Sequence, residues 1–169
     1  MQKSLAFLIV LFCVVLSFGQ KGYADLEFGM SPEQVKQKGY NIKFINNLTE
    51  KNVVIYECLA GVSYPVTYRS LGFFDNKLQY VYLTYDISKT GAESAIIEGL
   101  KEKYGAKFIK ITDVNYWLIV SEDLRIEVTY TKDENYPDIP LLDVIFRGTK
   151  IQALYEKAQK EKYQKNLGF

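Results

Sequence analysis

The chain has 169 residues, a formal net charge of +1, 14 tyrosines, two cysteines and no histidine. Without histidine there is no Ser-His-Asp or Cys-His nucleophile pair and no histidine-ligated zinc site, and without a basic excess there is no electrostatic footprint for nucleic acid or an acidic membrane. No Gly-rich phosphate loop is present either, so any catalysis would fall to carboxylates, lysine and tyrosine.

Lys3, the apolar run from Leu5 to Leu16, and Ser17 to Gln20 match a secretory signal peptide, since the run is too short to span a bilayer. Cleavage near Gln20 leaves 20 basic against 20 acidic residues in a mature chain of about 149 residues, the length of one ordinary domain. The expected location is periplasmic or secreted. Cys13 follows Leu11 and Phe12 rather than the small residues that precede a lipidation cysteine, so no lipid anchor is expected. Cys58 is then the sole mature cysteine. No internal disulfide is available, and the residue reads as a small buried hydrophobe, with an intermolecular bridge as the alternative.

The run Phe28 to Val35 opens the first helix: Ser31 is the expected N-cap, Pro32 takes the first helical position, Gln34 completes a capping box, and Gly39 supplies the stop. Strands are expected at about 41–47, 53–59, 66–74 and 78–85, joined by short turn clusters that make antiparallel neighbours. The last two form a hairpin across Asp75, Asn76 and Lys77. In its second strand Gln79 leads a set in which Val81, Leu83 and Tyr85 point one way, whereas Tyr80, Tyr82 and Thr84 point the other.

Thr90 and Glu93 start a second helix whose stripe is Ala92, Ile96, Leu100 and Tyr104, ended by Gly105. Four more strands follow at about 106–111, 115–120, 124–131 and 141–147. In the third, Arg125, Glu127 and Thr129 alternate with Leu124, Ile126, Val128 and Tyr130, so one face is solvated. The connection from Lys132 to Pro140 is acidic and holds two prolines, the composition of a mobile loop. A closing helix from about Thr149 to Asn166 docks through Ile151, Leu154, Tyr155 and Ala158 and then turns wholly polar.

By type the mature chain is helix, four strands, helix, four strands, helix. Val35, Lys36 and Lys38 align with Leu100, Lys101 and Lys103, and Lys43, Phe44 and Ile45 with Lys107, Phe108 and Ile109, a period of about 64–65 residues. The expected fold is α+β: two tandem units, about 28–87 and 88–148, each of one helix on a four-stranded antiparallel sheet, with a C-terminal helix at 149–166. The motif Phe28 to Val35, with Gly29, Met30, Ser31, Glu33 and Val35, resembles the entry motif of small exported bacterial domains of the β-lactamase-inhibitor-protein and small outer-membrane-assembly-lipoprotein type. That resemblance implies tandem helix-plus-sheet units. This chain lacks the lipidation cysteine, the inhibitor's disulfides and its second helix per unit, so the resemblance carries no inhibition or barrel assembly over to it.

Acids at Glu122 and Asp123, and at Asp133, Glu134 and Asp138, read as solvated turn residues; their spacing fits no calcium loop. Asn47, Leu48 and Thr49 spell a sequon that reads as a turn. The candidate binding residues are Tyr56, Tyr68, Tyr80 and Tyr82, in consecutive strands: placed together away from the helix they form an aromatic patch suited to a protein, peptide or glycan. The other reading is that tyrosine suits half-buried strands. A non-catalytic binding module is therefore expected, without cofactor or metal. The alternative is a carrier of a lipid or small hydrophobic ligand, with a cavity between sheet and helix lined or filled by Phe74, Tyr85 and Tyr104.

Overall fold

The structure is a computed structural model that describes residues 22–48, 52–59, 65–104, 107–110, 115–121, 123–132 and 137–167. The expected signal segment up to Gln20, with Thr49, Glu122, Asp133 and Glu134, lies outside them. Among the described residues three helices and eight strands follow in the order α1 (Pro32–Gln37), β1 (Ile42–Leu48), β2 (Val53–Cys58), β3 (Val66–Phe74), β4 (Lys77–Asp86), α2 (Ala92–Tyr104), β5 (Lys107–Lys110), β6 (Asn115–Ser121), β7 (Leu124–Lys132), β8 (Pro140–Gly148) and α3 (Thr149–Asn166). The class is α+β, with every strand pair antiparallel.

Local chemistry accounts for the ends of these elements. Ser31 and Gln34 close the capping box in both directions, at 3.3 and 2.8 Å, which holds a helix too short to stand alone. Gly39 stops it at φ +89°. The β3–β4 turn uses two residues, Asp75 and Asn76, at φ +49° and +56°. Both are left-handed, the geometry whose twist suits a two-residue hairpin, and short polar side chains tolerate it. Lys77 is the first strand residue rather than part of the turn.

The two expected sets of four antiparallel strands form one continuous eight-stranded sheet, in the order β1-β2-β3-β4-β8-β7-β6-β5, rather than a four-stranded sheet in each unit. Each half supplies four sequential strands, and the halves join along β4 and β8, from Tyr80 opposite Arg147 to Asp86 opposite Leu141. An isolated unit would leave one of these long strands as an edge with unpaired backbone groups; pairing them removes both edges.

One face of the sheet is the core. Leu71, Phe73, Val81, Leu83, Val128, Val144 and Phe146 are at most 1% exposed there. The segment around α1 covers them with Leu26, Phe28 and Val35, tied on by backbone hydrogen bonds from Gly29 to Leu78 and from Leu78 to Met30. Leu100 brings α2 onto the same face, and Phe146 sits against the rings of Tyr23 and Tyr104 at 5.0 and 5.6 Å. Cys58 is buried beside Arg69. Among the described residues no helix is long and apolar enough to cross a membrane.

The third helix leaves β8 directly and leans on the opposite face, at the turn end of the sheet. Tyr155 meets Phe74 edge-on at 5.3 Å, and the Gln79 amide donates to Gln152 at 2.8 Å. Phe74 therefore packs outside the layer between sheet and α2. From Glu161 onward α3 is exposed.

Candidate functional site

Register decides which tyrosines meet. Three cross-strand rows point to the face away from α1 and α2: Ile55, Gly72, Tyr80, Arg147 and Arg125; then Glu57, Ser70, Tyr82, Ile145 and Glu127; then Tyr68, Thr84, Asp143 and Thr129. Tyr68, Tyr80 and Tyr82 thus share one cleft of about 450 Å³ with Ile45, Asn46, Ile55, Ser70, Ile145 and Arg147. All three tyrosines are half-buried.

Tyr56 does not join them. It stands opposite Leu71, in the row of Phe44, Val81 and Phe146, and packs edge-on against buried Phe73 at 5.4 Å. Strand pairing put a one-residue offset between Tyr56 and the other three, and with a period of two that places it on the core face.

Gln79 also departs from the expected alternation. A register shift leaves Gly72 opposite Tyr80 and Phe73 opposite Leu78, so Gln79 is an extra residue with no partner in β3. The bulge puts Leu78 in the core set and turns Gln79 toward α3.

The three rings are held differently. Tyr80 lies over Gly72: a Cβ added there would come within 2.0 Å of its ring, so the close approach requires glycine. The Arg147 guanidinium stands 5.5 Å from the same ring's centroid. Burial raises the Tyr80 hydroxyl's pKa, with Arg147 pulling the other way. Tyr82 and Tyr68 meet edge-to-face at 6.0 Å and 67°. Burial pushes Tyr82 up to about 12, and contact with Thr84 opposes the rise while Asp143 adds to it. Thr84 in turn donates to Asp143 at 2.8 Å, which satisfies a buried carboxylate oxygen.

Beside the tyrosines is a charged group from the solvated face of β7. Glu127 forms ion pairs with both arginines, its carboxylate lying 3.2 Å from Arg125 Nε and 3.3 Å from Arg147 Nε. Arg125 and Glu127 were legible as an exposed set, but Arg147 was not, because its importance comes from the β4–β8 pairing that sets it against Tyr80. The tyrosine half and the charged half are therefore one surface.

Of the turn acids, Asp123 pairs with Lys150 at 2.6 Å and takes the Thr149 amide on its backbone carbonyl, which ties the β6–β7 turn to the start of α3. Among the described residues no three His, Cys, Asp or Glu side chains are grouped to hold a metal ion. No protein-family model matches this chain, and no curated protein or solved structure matches it either.

Proposed function

We propose that this protein is an exported, non-catalytic binding module that recognises a protein, peptide or glycan through the open face of its sheet. The observation that carries this reading is the shared cleft of Tyr68, Tyr80 and Tyr82, three half-buried rings on a face that α1 and α2 do not cover. Amphipathic rings at such a surface offer large contact area at low entropic cost, and their hydroxyls add directional contacts. The apolar run from Leu5 to Leu16 supports the export part of the proposal. The palindromic strand order supports an origin in two helix-plus-sheet units, like that of the exported domains whose entry motif the sequence resembles.

The carrier alternative needs room between sheet and helices. There the rings of Tyr23, Phe146 and Tyr104 pack on one another, and Phe73 is fully buried. No observation among the described residues favours a ligand in that layer.

Placing a photo-crosslinking phenylalanine derivative at position 82 or at position 56, in cells producing the full chain, tests the proposal. Binding through the open face gives a discrete adduct from position 82 and none from position 56. Equal labelling at both positions, or no adduct at 82, counts against it. N-terminal sequencing of the protein recovered from the envelope tests export.

A further inference from the structure

Arg147 and Tyr80 belong to two adjoining clefts. Besides the tyrosine cleft, they line a second one of about 340 Å³ bounded by Arg125, Glu127, Gln152 and Tyr155. Two guanidiniums there share one carboxylate, so the trio carries a net positive charge. The Arg147 side chain is 25% exposed and that of Glu127 19%, which makes the charge reachable from the cleft but less screened than one in open solvent. Arg147 brings its Nε to 3.3 Å from the Glu127 carboxylate and its guanidinium carbon to 5.5 Å from the centre of the Tyr80 ring. Its terminal nitrogens form the planar fork that grips a carboxylate with two parallel hydrogen bonds.

The shape of the aromatic part narrows the occupant. A sugar ring stacks on a flat, uncovered aromatic face, whereas here Tyr80 is backed by Gly72 and approached by Arg147, and Tyr68 and Tyr82 stand at 67° to each other. Such a ridged cleft accepts side chains in the grooves beside the rings. Building on the open-face reading above, we propose that the occupant is an acidic peptide segment of a protein partner: an aspartate or glutamate engages Arg147, and a neighbouring apolar side chain packs against the joined rings of Tyr68 and Tyr82. Glu127 is then an internal competitor that holds the two guanidiniums in place until the ligand carboxylate arrives.

A displayed random-peptide library selected on the full chain tests this, with the best binders then synthesised and titrated against variants. The expected outcome is enrichment of Asp or Glu next to an apolar residue. Affinity then falls roughly tenfold in Arg147→Gln, the size of one charged hydrogen bond. It rises in Glu127→Gln, where the competing carboxylate is gone. A gain of binding cannot come from a damaged fold, so the second variant keeps the test decisive if the first is unstable.

Peptides without acidic enrichment, or acidic binders indifferent to both substitutions, overturn the inference while leaving the open face as a binding surface, provided Tyr80→Ser still abolishes their binding. Selection of oligosaccharides from a glycan array in place of peptides overturns the peptide assignment. Failure of both selections overturns this inference and the open-face reading together.

Discussion

The two sides of β4 show what the same strand can be used for. Val81 and Leu83 are fully buried on the side that meets α1 and α2, whereas Tyr80 and Tyr82, one residue along from each, are half-buried on the side that the start of α3 reaches. Val81 and Leu83 on one side and the rings of Tyr80 and Tyr82 on the other both present apolar surface. What separates them is cover. The core face is buried beneath α1 and α2, and the open face keeps aromatic surface available with charges beside it.

Several substitutions break or sharpen that contrast. The largest effect is expected on the covered side: Phe73→Ala leaves a cavity in the centre of the core and costs about 3–5 kcal/mol, read as a lower denaturation midpoint. Gly72→Ala acts through the open face. The added methyl meets the Tyr80 ring and forces it from its seat, costing about 1–3 kcal/mol and altering the cleft together with stability.

Replacing Tyr80 and Tyr82 together with Ser removes two half-buried rings and one ring pair. Half the burial of two aromatic side chains amounts to about 2 kcal/mol, so the domain stays folded at 25 °C while binding is lost. A stability loss as large as that of Phe73→Ala would move these tyrosines into the core and remove the contrast.

The smallest effects separate tyrosine hydroxyls on the two sides. The Tyr104 hydroxyl is buried and has no hydrogen-bond partner among the described residues, so Tyr104→Phe leaves stability unchanged or raises it by about 1 kcal/mol at neutral pH. Tyr82→Phe stays within about 0.5 kcal/mol. Both hydroxyls have folded pKa values raised from 10 to about 12, chiefly by burial. A raised folded value means that the unfolded chain releases its proton first. The contribution is therefore intact below pH 10 and lost as pH rises through 12. Thermal melts across that window should fall, and each Phe variant should flatten part of the fall.

Much of the fold was legible because its signals are local. Ser31 with Gln34, Gly39, the Asp75–Asn76 turn and the alternation in β4 and β7 each follow from the chemistry of a few neighbouring residues. The site was legible only in part. Alternation within β4 put Tyr80 and Tyr82 on one side, but the face of Tyr56 depends on its register with β3, and the importance of Arg147 depends on a strand pairing whose partners run from Asp86 with Leu141 to Tyr80 with Arg147, far apart in sequence. The bulge at Gln79 was hidden for the same reason, since a partner strand with one residue fewer leaves no mark on the strand that bulges.

The most direct test of the central claim compares tyrosines with tyrosines. Side-chain carbon-labelled tyrosine in the full chain gives separate ring signals, which can be followed by NMR as an acidic peptide selected on the protein is added. The account predicts saturable shifts at Tyr68, Tyr80 and Tyr82, with the rings of Tyr56, Tyr23 and Tyr104 unmoved. Saturable shifts at Tyr56, Tyr23 and Tyr104, with the three open-face rings silent, would contradict it.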